Sequence, residues 1–227
     1  MRGFFVTGTG TEVGKTVVAA ALARTLANGG ERVAVFKPAV TGLDEPGETD
    51  HALLRRAASS QQSDDEIAPY RYRPPASPHL AAAQAGEEIG PQRLRAGAQA
   101  AAEKADLLVC EGVGGLLVPL AWRVSGAMRH KPASYLVRDL AVDLGLPLVV
   151  AASPGLGTIN HTLLTLEAAR AAGLSVAAVV LTPWPEEPSA IERSNRETIA
   201  GLGKVAVLTL AQLDLDEPES WPELTIA

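Results

Sequence analysis

A chain of 227 residues that is 47% hydrophobic can bury a full core and suits one α/β domain. Its formal net charge of −6 argues against nucleic acid as the main partner, because phosphate backbones are bound by an excess of Lys and Arg. The lone cysteine, Cys110, excludes an internal disulfide. Lying in the apolar run after Leu107-Leu108-Val109, it reads as a structural thiol in a reducing compartment.

The first apolar run, Gly3 to Thr7, leads into Gly8-Thr9-Gly10-Thr11-Glu12-Val13-Gly14-Lys15-Thr16 and then into a helical pattern from Lys15 to Ala27. A strand feeding a Gly-rich turn that opens a helix aims backbone N–H groups and the positive end of a helix dipole at one anion. Lys15 is placed to reach the β- and γ-phosphates of a nucleotide, and the Thr16 hydroxyl to meet Mg²⁺. The loop is one residue longer than the strict G-x-x-x-x-G-K-[ST] pattern: Thr9 stands where the first glycine would be, and Gly8 takes over its duty. An exposed Gly/Thr turn is the plainer alternative, and the strand–loop–helix context argues against it.

Further apolar runs follow at Val33 to Lys37, Leu107 to Cys110, Leu148 to Ala152, Ala177 to Leu181 and Val205 to Leu208. Helical patterns alternate with them at Asp50 to Ala58, Pro91 to Ala105, Ser134 to Leu144, Thr158 to Ala172 and Ser189 to Ala200. Continuous apolar strands between amphipathic helices predict a mostly parallel central sheet flanked by helices. The expected architecture is the three-layer α/β fold of P-loop NTPases, with residues 1–227 as one domain. Two segments stand outside this alternation. Tyr70 to Pro78, with Pro74, Pro75 and Pro78, reads as an extended loop. Ala121 to Pro132, with Trp122, Arg123, Arg129, His130 and Lys131, reads as a basic, solvated connection. No basic leader followed by an apolar stretch opens the chain, and no apolar run is long enough to cross a bilayer. A cytoplasmic protein without a membrane partner is expected.

Open α/β sheets bind ligands beyond the carboxyl ends of their strands, so residues that follow strands are the candidates for chemistry. Glu111 follows the third apolar run and precedes Gly112, Gly114 and Gly115, which permit close approach of backbone to a ligand. Lys37 closes the second run before Pro38. Asp50 opens a helix and has a purely structural reading as its cap. Asn160 and His161 begin a helix after the turn Gly155-Leu156-Gly157-Thr158, which either caps that helix or presents N–H groups to a carboxylate. His79 and His161 carry no zinc-like spacing with Cys110.

Taken in order, Gly8 to Thr16, Lys37-Pro-Ala-Val-Thr-Gly42, Ser77-Pro-His79, Glu111-Gly-Val-Gly-Gly115 and Leu156-Gly-Thr-Ile-Asn-His161 resemble the dethiobiotin synthetase family over about three quarters of the chain. The resemblance implies a homodimeric P-loop ligase of biotin biosynthesis. It would convert 7,8-diaminopelargonic acid, CO₂, ATP and Mg²⁺ to dethiobiotin, ADP and phosphate. It implies Thr16, Asp50 and Glu111 as Mg²⁺ ligands and Lys15 and Lys37 as the catalytic lysines. The nucleotide falls on Glu12, Val13, Gly14, Lys15, Thr16, Val17, Asp50, Glu111, Gly112, Val113, Gly114 and Thr182. Thr11, Glu12, Thr41 and the backbone at Val113 and Gly114 fall on the diamine. Leu156, Gly157 and Asn160 fall on its carboxylate tail, contributed by the second subunit at the interface.

The chain departs from the family pattern twice. Many relatives place Asn-Asp after the strand that ends near Leu181, to read the adenine edge; here stands Thr182-Pro183-Trp184-Pro185. A pocket without that amide loses a paired donor and acceptor, so a weaker preference for ATP over other nucleoside triphosphates is expected. The Trp122 to Lys131 excursion is longer than the usual connection and would flank the tail side of the dimer. Two other functional classes compete. A partitioning or positioning ATPase would carry a lysine five residues before the loop lysine, where this chain has Gly10, and its C-terminal end is acidic rather than amphipathic. Another ATP-dependent ligase on the same fold is the second, and the Lys37 motif and the Leu156 to His161 turn argue for the biotin-pathway reading over it.

Overall fold

The structure is a computed structural model that describes residues 1–122 and 134–226. Most of the basic excursion lies outside those residues. The elements run β1 (Gly3–Gly8), α1 (Lys15–Asn28), β2 (Val33–Phe36), α2 (Asp50–Ala57), α3 (Asp64–Ile67), α4 (Pro78–Gln84), α5 (Pro91–Glu103) and β3 (Leu107–Gly115). They continue with β4 (Pro119–Trp122), β5 (Ser134–Leu136), α6 (Val137–Leu144), β6 (Leu148–Ala152), α7 (Thr158–Ala171), β7 (Val176–Trp184), α8 (Ala190–Gly203) and β8 (Ala206–Ala211).

Six strands form one sheet in the order β2-β3-β1-β6-β7-β8, and all five neighbouring pairs are parallel. Parallel strands carry helices on both faces, so each must be apolar on both sides, and β6 (LVVAA) is buried at every position. Alternation along the strands divides the core. Phe5, Phe36, Cys110 and Leu148 pack with α5 and α6 on one face, extended by Val150, Val179 and Leu181 under Leu166 of α7 and Ile199 of α8. Val6, Val35, Val109, Val149 and Val180 pack on the other face with α1, α2 and the C-terminal Leu213, Trp221 and Leu224. β1 is central, and the chain turns to its opposite side after β3. The loop that follows β1 therefore stands at the topological switch, where open sheets hold ligands.

Several elements differ from the sequence expectation, and α3 and β4 were not among the predicted elements. β3 continues through Gly112 to Gly115, which puts Glu111 inside a strand rather than beyond it. β7 likewise continues through Thr182 to Trp184, across a cis Thr182–Pro183 peptide. Ser134 to Leu136 pairs antiparallel with β4 instead of opening α6. The Pro-rich loop ends in a helix, because proline at the first helical position loses no hydrogen bond, and His79 lies in that helix.

Candidate active site

The phosphate-binding loop is shaped by its glycines. A Cβ at Gly8 would lie 2.7 Å from Val13 Cγ2 and 2.8 Å from Lys15 Cγ, so the displaced first glycine is required where it stands. Gly14, in the left-handed region at φ 81°, opens α1, and a Cβ there would lie 2.5 Å from Thr182 Cγ2. Thr182, buried in β7, thus sets its methyl against the loop. Glu12 is also left-handed, at φ 58°. Lys15 Nζ donates to Gly10 O at 2.8 Å, folding the lysine back along the loop.

Beside the loop lies a cleft of about 640 Å³, lined by Thr11, Glu12, Gly14, Lys15, Thr16, Val17, Lys37, Thr41, Asp50, Glu111, Val113 and Gly114 among others. Its floor is a charged cluster. Lys37 Nζ stands 2.6 Å from Asp50 Oδ2 and 2.6 Å from Glu111 Oε1. The Thr16 hydroxyl lies 3.1 Å from Asp50 Oδ1 and 2.9 Å from Glu111 Oε1. Lys37 is 3% exposed and Glu111 fully buried, whereas Asp50 opens toward the cleft. Burial opposes the charge on Lys37, but Glu111 and then Asp50 outweigh it and hold the ammonium above its ordinary value. Burial likewise opposes ionisation of Asp50, and Lys37 outweighs it and holds that carboxyl low. At Glu111 burial prevails over Lys37 and the carboxyl is raised. Burial lowers Lys15, against the pull of Glu111 and with a further push from Lys37.

The Thr16 hydroxyl has one proton and lies within hydrogen-bond distance of two carboxylates, and Glu111 Oε2 has no partner among the described residues. An all-oxygen set with an orphaned carboxylate oxygen fits a hard divalent cation. The neighbouring Cys110 thiol is driven well up by burial, which keeps it protonated and inert.

Other residues singled out from the sequence fall elsewhere. Gly112 lies behind the cleft, where a Cβ would meet Val137 and Phe5. Val13 packs toward Gly8 rather than lining the cleft. Leu156, Gly157 and Asn160 lie at the start of α7, apart from the cleft, with Leu156 94% exposed. The cleft also takes in Ala39, Glu45, Pro75, Ala76, Ser77, Pro78 and Val118, which sequence reasoning did not assign to it. Of these, Ala39 lies in the Lys37 to Gly42 motif and Ser77 and Pro78 in the Ser77-Pro-His79 motif; the others gave no signal.

The sheet order, the loop after its central strand and the acidic cluster beside it define a P-loop NTPase fold. A family model described as an AAA domain matches residues 2–218. Among solved structures the chain is similar to the septum site-determining protein MinD of Pyrococcus horikoshii, solved with Mg-ADP (TM-score 0.53, 15% identity, 92% of this chain and 81% of that one). It is similar also to apo McdA of Cyanthece (TM-score 0.55, 11% identity, 96% and 90%). At such identities these likenesses show the fold alone. Sequence relatives narrow the class. The chain is 41% identical to the ATP-dependent dethiobiotin synthetase BioD of Rhodococcus erythropolis, over 91% of this chain and 86% of the relative. It is 43% identical to that of Anaeromyxobacter dehalogenans strain 2CP-1 (87% and 84%) and 34% to that of Bacillus subtilis strain 168 (92% and 86%). The chain belongs to the ATP-dependent dethiobiotin synthetase family.

Proposed function

We propose that this protein is a cyclo-ligase that carboxylates 7,8-diaminopelargonic acid with CO₂ and closes the ureido ring through a carbamic-phosphoric mixed anhydride, at the expense of ATP. The observation that supports this most is Lys37, an ammonium buried beside the phosphate loop and held by Glu111 and Asp50 at 2.6 Å each, in a chain of this family.

A neutral amine of the substrate attacks CO₂ and loses a proton, giving a carbamate. Its new negative charge must approach an anionic γ-phosphate, so fixed positive charge is the main requirement. Lys15 and Lys37, both buried, supply it at the floor of the cleft, where cations act more strongly than in bulk water. The carbamate oxygen bonds to the γ-phosphorus as the bond to the bridging oxygen of ADP breaks. The second amine then attacks the carbamoyl carbon and expels phosphate. No protein nucleophile is required, and positioning is the principal task. Thr16, Asp50 and Glu111 would hold Mg²⁺, which when bound offsets the charge of the β- and γ-phosphates. Thr11, Glu12, Thr41 and the backbone of Val113 and Gly114 would hold the diamine. In a homodimer the second subunit's Leu156, Gly157 and Asn160 would hold its carboxylate tail. A cytoplasmic location belongs to the same reading; no helix among the described residues is long and apolar enough to cross a membrane.

The test is mass-spectrometric detection of dethiobiotin from purified protein, Mg²⁺, bicarbonate, the diamine and a nucleoside triphosphate, with phosphate release followed in parallel. Product that requires the diamine and falls with Lys37→Ala is expected; phosphate release without product would overturn the proposal. The same assay reads base preference. Thr182 offers a short hydroxyl and a methyl committed to Gly14 in place of an amide. CTP and GTP are expected to support turnover within about tenfold of ATP, and a strong preference for ATP would contradict this.

A further inference from the structure

Asn195 is a polar side chain in the middle of α8, 6% exposed, at a position where an apolar residue would serve the helix better. Its Nδ2 donates to two successive carbonyls of the loop after β6, Pro154 O at 2.9 Å and Gly155 O at 3.0 Å. In a trans peptide the C=O and the following N–H point in opposite directions. With both carbonyls drawn to one nitrogen, the N–H groups of Gly155 and Leu156 are turned away from α8, and neither donates to a backbone or side-chain acceptor among the described residues. Gly157, left-handed at φ 91°, then carries the chain into α7, and Thr158 N closes the turn on Gly155 O at 3.3 Å. Two adjacent outward N–H groups at a helix start form a concavity suited to one carboxylate.

We infer that Asn195 is a positioning residue for recognition of the substrate's carboxylate: it touches no substrate, and it fixes the two peptide planes whose N–H groups meet the tail. The inference rests on the ligase reading above, in which this loop receives that tail. It goes beyond it by placing the determinant of carboxylate selectivity on a helix with no part in the cleft.

The experiment compares kcat/KM for the diamine acid and for its methyl ester, in the parent protein and in Asn195→Ala and Asn195→Asp. Asp keeps the size of Asn and replaces the donor by an acceptor that repels both carbonyls. The acid-to-ester ratio within one preparation does not depend on how much protein is folded, so partial misfolding leaves it unmoved. The parent is expected to prefer the acid. In both variants that preference falls by about tenfold, the worth of a charge-assisted hydrogen bond, while KM for the nucleotide stays at the parent value. A parent that makes dethiobiotin with the same ratio in both variants, or without any preference for the acid, overturns the role of Asn195 alone. A parent that makes neither dethiobiotin from the acid nor its methyl ester from the ester overturns the ligase reading, and this one with it.

Discussion

Lys37 and Glu111 are both buried and lie 2.6 Å apart; Lys37 keeps its charge through Glu111 and Asp50, and Glu111, raised by burial, has Lys37 as its nearest cation. Removing one partner of such a pair leaves the other buried and unpaired, whereas replacing both leaves neither. Lys37→Met is therefore expected to lower stability by about 3 to 5 kcal/mol, read from urea melts. Glu111→Gln in the same background should recover much of that loss, since an amide tolerates the site without a counter-ion. Activity is not expected to return with it, because the proposed phosphoryl transfer needs the ammonium itself. A double variant no more stable than Lys37→Met would show that the pair is not coupled in this way.

At the scale of elements, the sheet leaves β2 open on one side, and the chain closes that edge with a side chain. Gln62 accepts from Val35 N–H at 2.8 Å and donates to Val35 O at 3.0 Å, standing in for a neighbouring strand. Gln62→Glu keeps the acceptor and loses the donor, unless the new carboxyl is protonated. Its folded pKa must then lie above the unfolded value of about 4.3. The stability it supplies is present below that value and is lost as pH rises through the folded pKa. The variant should melt near the parent at pH 4 and well below it at pH 7; an equal deficit at both would refute the mimicry. Contacts of this kind mark where sequence reading ends. The phosphate loop and Glu111 were legible because glycines stand beside them, and Lys37 because it closes an apolar run before a proline. Gln62 and Asn195 were not, since their partners lie 27 and 41 residues away and nothing local distinguishes them from solvated amides. Gly112 to Gly115 fall outside the strand predicted from the sequence because glycine has little preference for strands, yet pairing with β1 carries β3 through them. The strand at Ser134 to Leu136 was hidden because three residues are too few for a period to show, and Ser134 resembles a helix cap.

For the whole molecule, the question is whether one chain can complete the site. Asn160 and Leu164 lie four residues apart on α7 and share a face, and Leu156 stands just before the helix; Leu156 and Leu164 are 94% and 56% exposed. Exposed leucines beside an exposed amide, apart from the cleft of their own chain, suit a surface that meets the cleft of a second copy, as the ligase reading proposes. Two defects on different chains should then complement. Lys37→Ala lacks the cation but keeps the tail loop; Asn160→Asp keeps the cation but sets a carboxylate against the tail, at an exposed position that spares the core. Each alone is expected to be nearly inactive on the diamine. In the proposed homodimer, mixed refolding at equal amounts makes half of the dimers heterodimers with one intact site of two, so about one quarter of the parent activity should return. If the mixture gains nothing while sedimentation shows that the subunits have exchanged, the tail loop and Lys37 do not serve a shared site, and the tail must be bound within one chain.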